Sequence, residues 1–468
     1  MNKHSKHSLL LSGLFGLSLA LASCEKLIEI PSAPSSMTQD EQFTDSLSTL
    51  SAVAGVYAYD SQKGFGYTDG RLTYLTAFSA DELSGSLVND NQQFYSYTLT
   101  PLNESANSLW SSAYRGIYQI NALLAKVDGN ENLSNSFQQQ VIGEMKVMRA
   151  LYYFNLVNLF GEVPLILGTD YNENNRKARN TVAEVYQQLD QDLQDAISKL
   201  QASYPSAGRA RPNLYTAQAL MAKVQLYQEN WQAAYDHADA VIASGIYSLV
   251  SDDVNGVFLS GSSEAIWQIP GAQAFTNGLA DAMSFVPYSP TMIPSYLLTP
   301  NLLNAFEAGD QRLSKWVGRQ VLSNDTGEQT YYYPLKYKNR MSTQTPSEDQ
   351  MVLRLAEVYL IRAEAAAHLN KLDEALADVD LLRQRAGINT PNPADPSAQE
   401  AVLAAIAHER QVELFCEWGN RWYDLKRTGK ASSVLGESKT GFTEHAALYP
   451  VPQQQRLLNV ELTQNLGY

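Results

Sequence analysis

The strongest constraint on the fold is a repeated pattern of alanines. Residues 215–245 (YTAQALMAKVQLYQENWQAAYDHADAVIASG) and 356–386 (AEVYLIRAEAAAHLNKLDEALADVDLLRQRA) superpose when the first is shifted by 141 positions. Ala222 then falls on Ala363, Trp231 on Leu372, Ala234 on Ala375 and Val241 on Leu382. Each stretch reads as a helix, a tight turn and a second helix, with alanine where two helices must approach closely. Other segments carry the same period. Residues 104–128 place Leu109, Ala113, Ile117, Ile120 and Leu124 three and four apart. Residues 136–160 do likewise and stop at Gly161, with Pro164 just beyond. Residues 181–201 open on Thr181 with Glu184 three residues later, a capping-box signature. The helix ending at Gly161 and the one starting at Thr181 are expected to form a further hairpin across a long loop.

These units resemble the tetratricopeptide repeat, whose helical hairpins stack to bury a shared face, although the full repeat consensus is absent. The expected fold is therefore mainly α: tetratricopeptide-like helical hairpins form a scaffold. Residues 250–345 differ in character, being rich in proline, glycine and tyrosine. Residues 264–269 (EAIWQI) alternate as a short strand, and Tyr331, Tyr332 and Tyr333 precede Pro334 and an alternating LKYK. This region is expected to form a loop-rich face carrying small β-hairpins, and loops of that length are uncommon unless functional.

The first residues carry Lys3 and Lys6, then an apolar run at 9–22, then small residues leading to Cys24. That order is a signal peptide, too short for a spanning helix. LASC (Leu21 to Cys24) resembles the bacterial lipobox, which implies cleavage before Cys24 and acylation of its sulfur and amine. Each buried methylene contributes about 0.8 kcal/mol and stable anchoring takes more than one chain, so a multiply acylated Cys24 holds a large domain on a membrane. Residues 1–23 are thus read as the signal peptide, 24–45 as lipidated Cys24 and a tether, and 46–468 as a single domain. The other cysteine, Cys416, lies in the apolar VELFCEW and reads as core. The formal charge of −15 argues against nucleic acid and against electrostatic docking on anionic lipid.

Several phrases together are similar to the SusD/RagB family of Bacteroidota nutrient-binding lipoproteins. They are LRLAEVYLIRAE at 353–364, ERQVELFCEWGNRWYDLKRTG at 409–429, LYPVPQQQRLLNVELTQNLGY at 448–468, GEMKVMRALYYFNLVNLFGEVPL at 143–165 and AFEAGDQR at 305–312. The tail departs from the family pattern at Gln454 and at Asn459-Val460, where an acidic residue and an Asn-Pro pair are common. The resemblance implies a SusD-like fold, outer-membrane attachment facing outward, capture of oligosaccharide or another nutrient without chemistry, and a SusC-type TonB-dependent transporter as partner. The shared phrases have a physical reading too. Glu417 and Arg421 are four apart and can pair on a helix face. Arg410, Glu413, Trp422 and Asp424 sit among apolar residues, as a buried ionic network would. The terminal YPVP is stiffened by proline and is expected to wrap the body.

No catalytic signature stands out. His408-Glu409 lacks the second histidine of a zinc helix, and there is no phosphate loop or nucleophile elbow. Asp81-Glu82 and Asp252-Asp253 are adjacent carboxylates, which usually diverge, whereas a glycosidase sets two across a cleft. No cofactor or metal is expected. The groups a sugar needs are present: aromatic faces to stack on its aliphatic hydrogens, and amides, carboxylates and arginines for its hydroxyls, carried on loops. Tyrosine, which supplies both, occurs 27 times against 14 phenylalanines. Two loop segments combine these groups. One offers Phe65, Tyr67, Asp69 and Arg71, with Asn89, Asp90 and Asn91; the other offers Phe275, Asn277 and Tyr288. The family takes ligand contacts from loops in about these places, but no motif transfers residue by residue. Two other classes compete: a surface-anchored glycoside hydrolase, marked by a carboxylate pair in a cleft, and a repeat scaffold for protein partners, marked by an apolar groove without stacked aromatics.

Overall fold

The computed structural model describes residues 41–61, 70–85, 90–270, 278–324, 327–390, 392, 394–439 and 441–468. The signal segment and Cys24 lie outside the described residues. Among those described, no helix is long and apolar enough to cross a membrane.

Polar residues and glycines set the helix boundaries. α1 (Ser46–Ser61) follows Asp45, whose carboxylate accepts from the Ser48 N–H at 2.8 Å. α2 (Arg71–Ser79) opens at Gly70, and α3 (Glu104–Val127) at Asn103, which accepts from the Ala106 N–H. α4 (Asn135–Phe160) is capped by Ser134 and ends at Gly161 with φ 73°. α5 (Val182–Lys199) carries the expected capping box, Thr181 and Glu184 each accepting the other's backbone N–H.

The two alanine-rich repeats superpose in the register that the sequence shift sets. α6 (Leu214–Tyr227) and α7 (Trp231–Ala243) match α8 (Leu355–His368) and α9 (Leu372–Arg385). Even the turns agree. Glu229 and Asn370, at equivalent positions, both take left-handed φ, 59° and 60°. Asn230 and Lys371 then donate back to Gln225 and Ala366, closing each helix end in the same way. Ala222, Ala363, Ala234 and Ala375 are all fully buried, as close helix approach requires. With α10 (Gln399–Glu413), helices α3 to α10 stack in chain order, each against the next. α11 (Asn420–Arg427) turns back and docks on α2.

Residues 244–354 leave the stack between α7 and α8, yet those two helices pack directly. β1 (Leu83–Ser84) lies before this insertion. β2 (Ala265–Pro270), one residue later than the sequence pattern indicates, pairs antiparallel with β6 (Asp349–Arg354) and closes the insertion's base, with bulges around Trp267. β3 (Leu297–Leu298) pairs with β1, which ties the insertion to the N-terminal third. β4 (Val317–Asn324) and β5 (Gly327–Pro334) make the expected hairpin, with Tyr331 to Tyr333 on β5. Residues 335–338 alternate in sequence but join no strand, because Lys336 turns into a buried ionic cluster.

That cluster centres on Glu413, at the end of α10. Its carboxylate accepts from Arg312 at 2.8 Å and also from Arg354 and Arg385. Arg312 continues to Asp310 and Glu409, Arg385 to Glu264, and Arg354 with Lys336 to Glu417. Glu413 and Arg312 are fully buried. Burial opposes ionisation of Glu413, but the guanidiniums of Arg385, Arg354 and Arg312 outweigh it and hold the carboxyl well below the usual range.

One sequence pairing is corrected. Glu417 and Arg421 do not meet, because Cys416, Trp418 and Gly419 all have positive φ and break the helix between α10 and α11. Glu417 pairs with Arg354 and Lys336, while Arg421 grips Asp81 through two contacts of 2.8 Å. Arg410 pairs with Asp424 inside the body, Cys416 is buried, and Tyr449 of the YPVP segment donates its N–H to the Leu159 carbonyl. Removing one partner of a buried pair leaves the others uncompensated, which costs about 3–5 kcal/mol. Glu413→Gln is expected to lose about that much, read as a lower urea midpoint at unchanged m value.

Candidate functional site

The candidate site is a face built where α2, the N-terminal end of α3 and the insertion meet. It starts at Gly70, which has φ 84° and whose missing side chain makes room for Asp281; a Cβ there would lie 3.2 Å from the Asp281 carboxylate. One turn into α2, Tyr74 stacks on Tyr296, with ring centroids 5.2 Å apart and planes at 23°. Phe78 and Phe285 meet the same ring edge-on. Tyr296 is therefore a fixed, half-buried plate between α2 and the insertion.

The insertion contributes a second plate. Tyr288 is 82% exposed, with the Arg340 guanidinium 5.6 Å from its ring centroid. Arg340 also donates to the Met283 and Val286 carbonyls, which holds the chain leading to Tyr288. Beyond it, Gln320 of β4 donates to the carbonyls of Pro290 and Met292, presenting the exposed Met292 and Ile293. A cavity of about 150 Å³ lies between Pro270 and Gly278, lined also by Leu279, Asn339, Met341 and Glu348.

Of the residues singled out from the sequence, Arg71, Asp90, Asn91 and Tyr288 are described; Asn91 accepts from the Ser105 hydroxyl at 3.4 Å. Arg71 donates to the Ser108 hydroxyl on α3. Asp90 accepts from the Glu104 N–H at 3.0 Å and so caps α3; its carbonyl accepts from Asn103. Arg71 and Asp90 thus meet α3 one helical turn apart, at Ser108 and Glu104. Phe65, Tyr67, Asp69, Asn89, Phe275 and Asn277 lie outside the described residues, in segments that rejoin the described chain at Gly70, Asp90 and Gly278. Tyr74, Tyr296, Arg340 and Gln320 were not singled out. No local motif marks them, because their neighbours come from distant parts of the chain. Among the described residues, no group of histidine, cysteine or carboxylate side chains could hold a metal ion. Asp253 instead accepts from the Asn255 N–H in a turn and pairs with Lys315.

Two family models match the chain in succession. One, described as starch-binding and associating with the outer membrane, spans residues 32–226; the other, the SusD family, spans 298–468. The chain belongs to the SusD/RagB family. A SusD-like protein of Formosa agariphila is 27% identical over 78% of this chain and 80% of its own length. The starch-binding protein SusD of Bacteroides thetaiotaomicron is 22% identical over 84% of this chain and 86% of its own. Among solved structures, a SusD superfamily protein from Bacteroides vulgatus shares the fold at TM-score 0.81 and 22% identity, covering 91% of this chain and 100% of that one. A laminarin-binding SusD-like protein is 28% identical at TM-score 0.74, with coverage of 91% and 100%.

The floor of this SusD-family face holds two groups that titrate near neutrality. Burial, with the Asp81 carboxylate beside it, pushes Glu82 up to about 8 despite Arg421 and the Cys416 N–H. Burial pushes Lys439 down to about 7, where it donates to the Phe78 and Ala80 carbonyls at the end of α2. Between 4.5 and about 8 the folded chain keeps a proton on Glu82 that the unfolded chain releases, so this group's contribution to stability falls as pH rises. Lys439 acts in the opposite sense above about 7, where the unfolded chain binds the extra proton. Glu82→Gln is expected to gain stability relative to the parent progressively from about pH 5 to 8, measured by urea unfolding at each pH.

Proposed function

We propose that this face binds oligosaccharide and that the protein is a non-catalytic nutrient-binding lipoprotein of the outer membrane. Cys24 carries the lipid and the body faces outward. The captured glycan passes to a SusC-type TonB-dependent transporter. The observation that carries the reading is the exposed Tyr288 ring, backed by Arg340. An exposed aromatic held by a cation costs little entropy to order and offers a flat surface for the aliphatic face of a sugar. Arg71, Asp90 and Asn91 border the same face, and Phe65, Tyr67, Asp69, Asn89, Phe275 and Asn277 complete the proposed ligand set from the three adjoining segments. The starch-binding and laminarin-binding names of relatives support a glycan as the ligand class.

Affinity gel electrophoresis of the mature protein in laminarin, starch and other polysaccharides tests this. At least one polymer is expected to retard it. Tyr288→Ala is expected to weaken that binding by about 1 kcal/mol, roughly fivefold in Kd, while moving the unfolding free energy by less than about 0.5 kcal/mol. Retardation by no polymer, or equal retardation of the variant, rejects the site; release of sugar products by the pure protein rejects the non-catalytic assignment. Cys24→Ser is expected to move the protein from the membrane to the soluble fraction, read by fractionation. Co-purification with a barrel transporter tests the partner.

A further inference from the structure

The β4–β5 hairpin carries three consecutive tyrosines, and strand alternation sends them to opposite faces. Tyr332 packs against the core, on the face of its cross-strand partner Arg319. Tyr331 and Tyr333 share the other face. Both keep part of their surface in water, and neither packs into the core.

Both rings are nevertheless held. Tyr333 lies opposite Gly318, and the far edge of its ring fills the space that a side chain at 318 would take. The ring therefore lies across the neighbouring strand with one side on backbone. Tyr331 donates its hydroxyl to Gln329 Oε1 at 2.9 Å, two residues along the same face. Among the described residues, neither ring joins an aromatic pair, and the Tyr333 hydroxyl has no hydrogen-bond partner. An aromatic covering a strand glycine is a structural device in its own right. It accounts for where Tyr333 lies, but not for Tyr331 or for the surface that both rings leave open.

This face adjoins Tyr288. Gln320 is the cross-strand partner of Tyr331, and its amide donates to the Pro290 and Met292 carbonyls in the turn that follows Tyr288. From the same stretch of chain, β3 packs against β5. Tyr331 and Tyr333 stand two strand residues apart, about 7 Å, so their row starts beside the turn that carries Tyr288.

We propose that Tyr331 and Tyr333 form a second sugar-stacking platform, continuous with Tyr288, and that the ligand is an extended glycan chain laid along the β4–β5 hairpin. One sugar covers one ring; a chain of several units reaches both platforms. The proposal rests on the glycan reading of this face and adds the length and course of the ligand.

Isothermal titration calorimetry of the full mature chain tests it, using oligosaccharides of about three and about eight units cut from the polymer that retards the protein. The parent is expected to bind the longer chain about tenfold more tightly. Tyr331 has its hydrogen bond to the exposed Gln329, so Tyr331→Ala keeps the fold, checked by an unchanged urea midpoint. This variant is expected to weaken the longer chain about fivefold and to leave the shorter one unchanged. Gly318→Ala, which pushes the Tyr333 ring aside, is expected to act in the same sense, whereas Tyr288→Ala weakens both lengths. Equal affinity of the parent for the two lengths overturns the platform. So does a Tyr331→Ala loss that is absent or equal for both lengths. These outcomes leave the glycan reading standing; failure of every polymer to bind the parent removes that reading and the platform with it.

Discussion

Glu413 is the point through which the two halves of the fold are joined. Its carboxylate belongs to the last helix of the scaffold, and the arginines around it come from elsewhere: Arg385 from α9, Arg312 and Arg354 from the insertion. Its backbone carbonyl accepts from Lys336 and Arg354 as well. A charge buried this deeply is tolerated only if every neighbour is in place. The network therefore selects a single docking of insertion on scaffold, which apolar packing alone specifies less sharply.

That docking decides where the candidate site stands. α7 and α8 pack as if residues 244–354 were absent, so the stack provides a rigid base and the insertion is free to carry loops. The β2–β6 pair closes the insertion at its root, and the β1–β3 pair joins its far side to α2. Tyr296 and Tyr288 are presented from that second attachment. A weakly held insertion would leave the aromatic plates without fixed positions and raise the entropic cost of binding.

Much of the scaffold was legible because its signals are local. The three- and four-residue period, the Thr181–Glu184 capping box and the Gly161 stop each depend on residues within a few positions, and the structure shows each of them. The 141-residue shift carried further: it aligns the helix ends and the left-handed turn residues, Glu229 with Asn370. The pairing of Glu417 with Arg421 failed because a local spacing rule assumes an unbroken helix. Three positive φ values between α10 and α11 break it, and two of them fall on the non-glycine residues Cys416 and Trp418.

The sequence by itself determined the helical class, the repeat register, the family and the set of polar and aromatic residues available on the loops. Those properties follow from short-range periodicity and from ordered phrases along one chain. Tertiary structure alone decided which of these residues share a face. Tyr74 meets Tyr296, Arg340 backs Tyr288, and Arg421 finds Asp81 across most of the chain. The physical reason is that such contacts depend on the crossing of distant elements, which buried charges and packed rings fix only once the whole chain has folded.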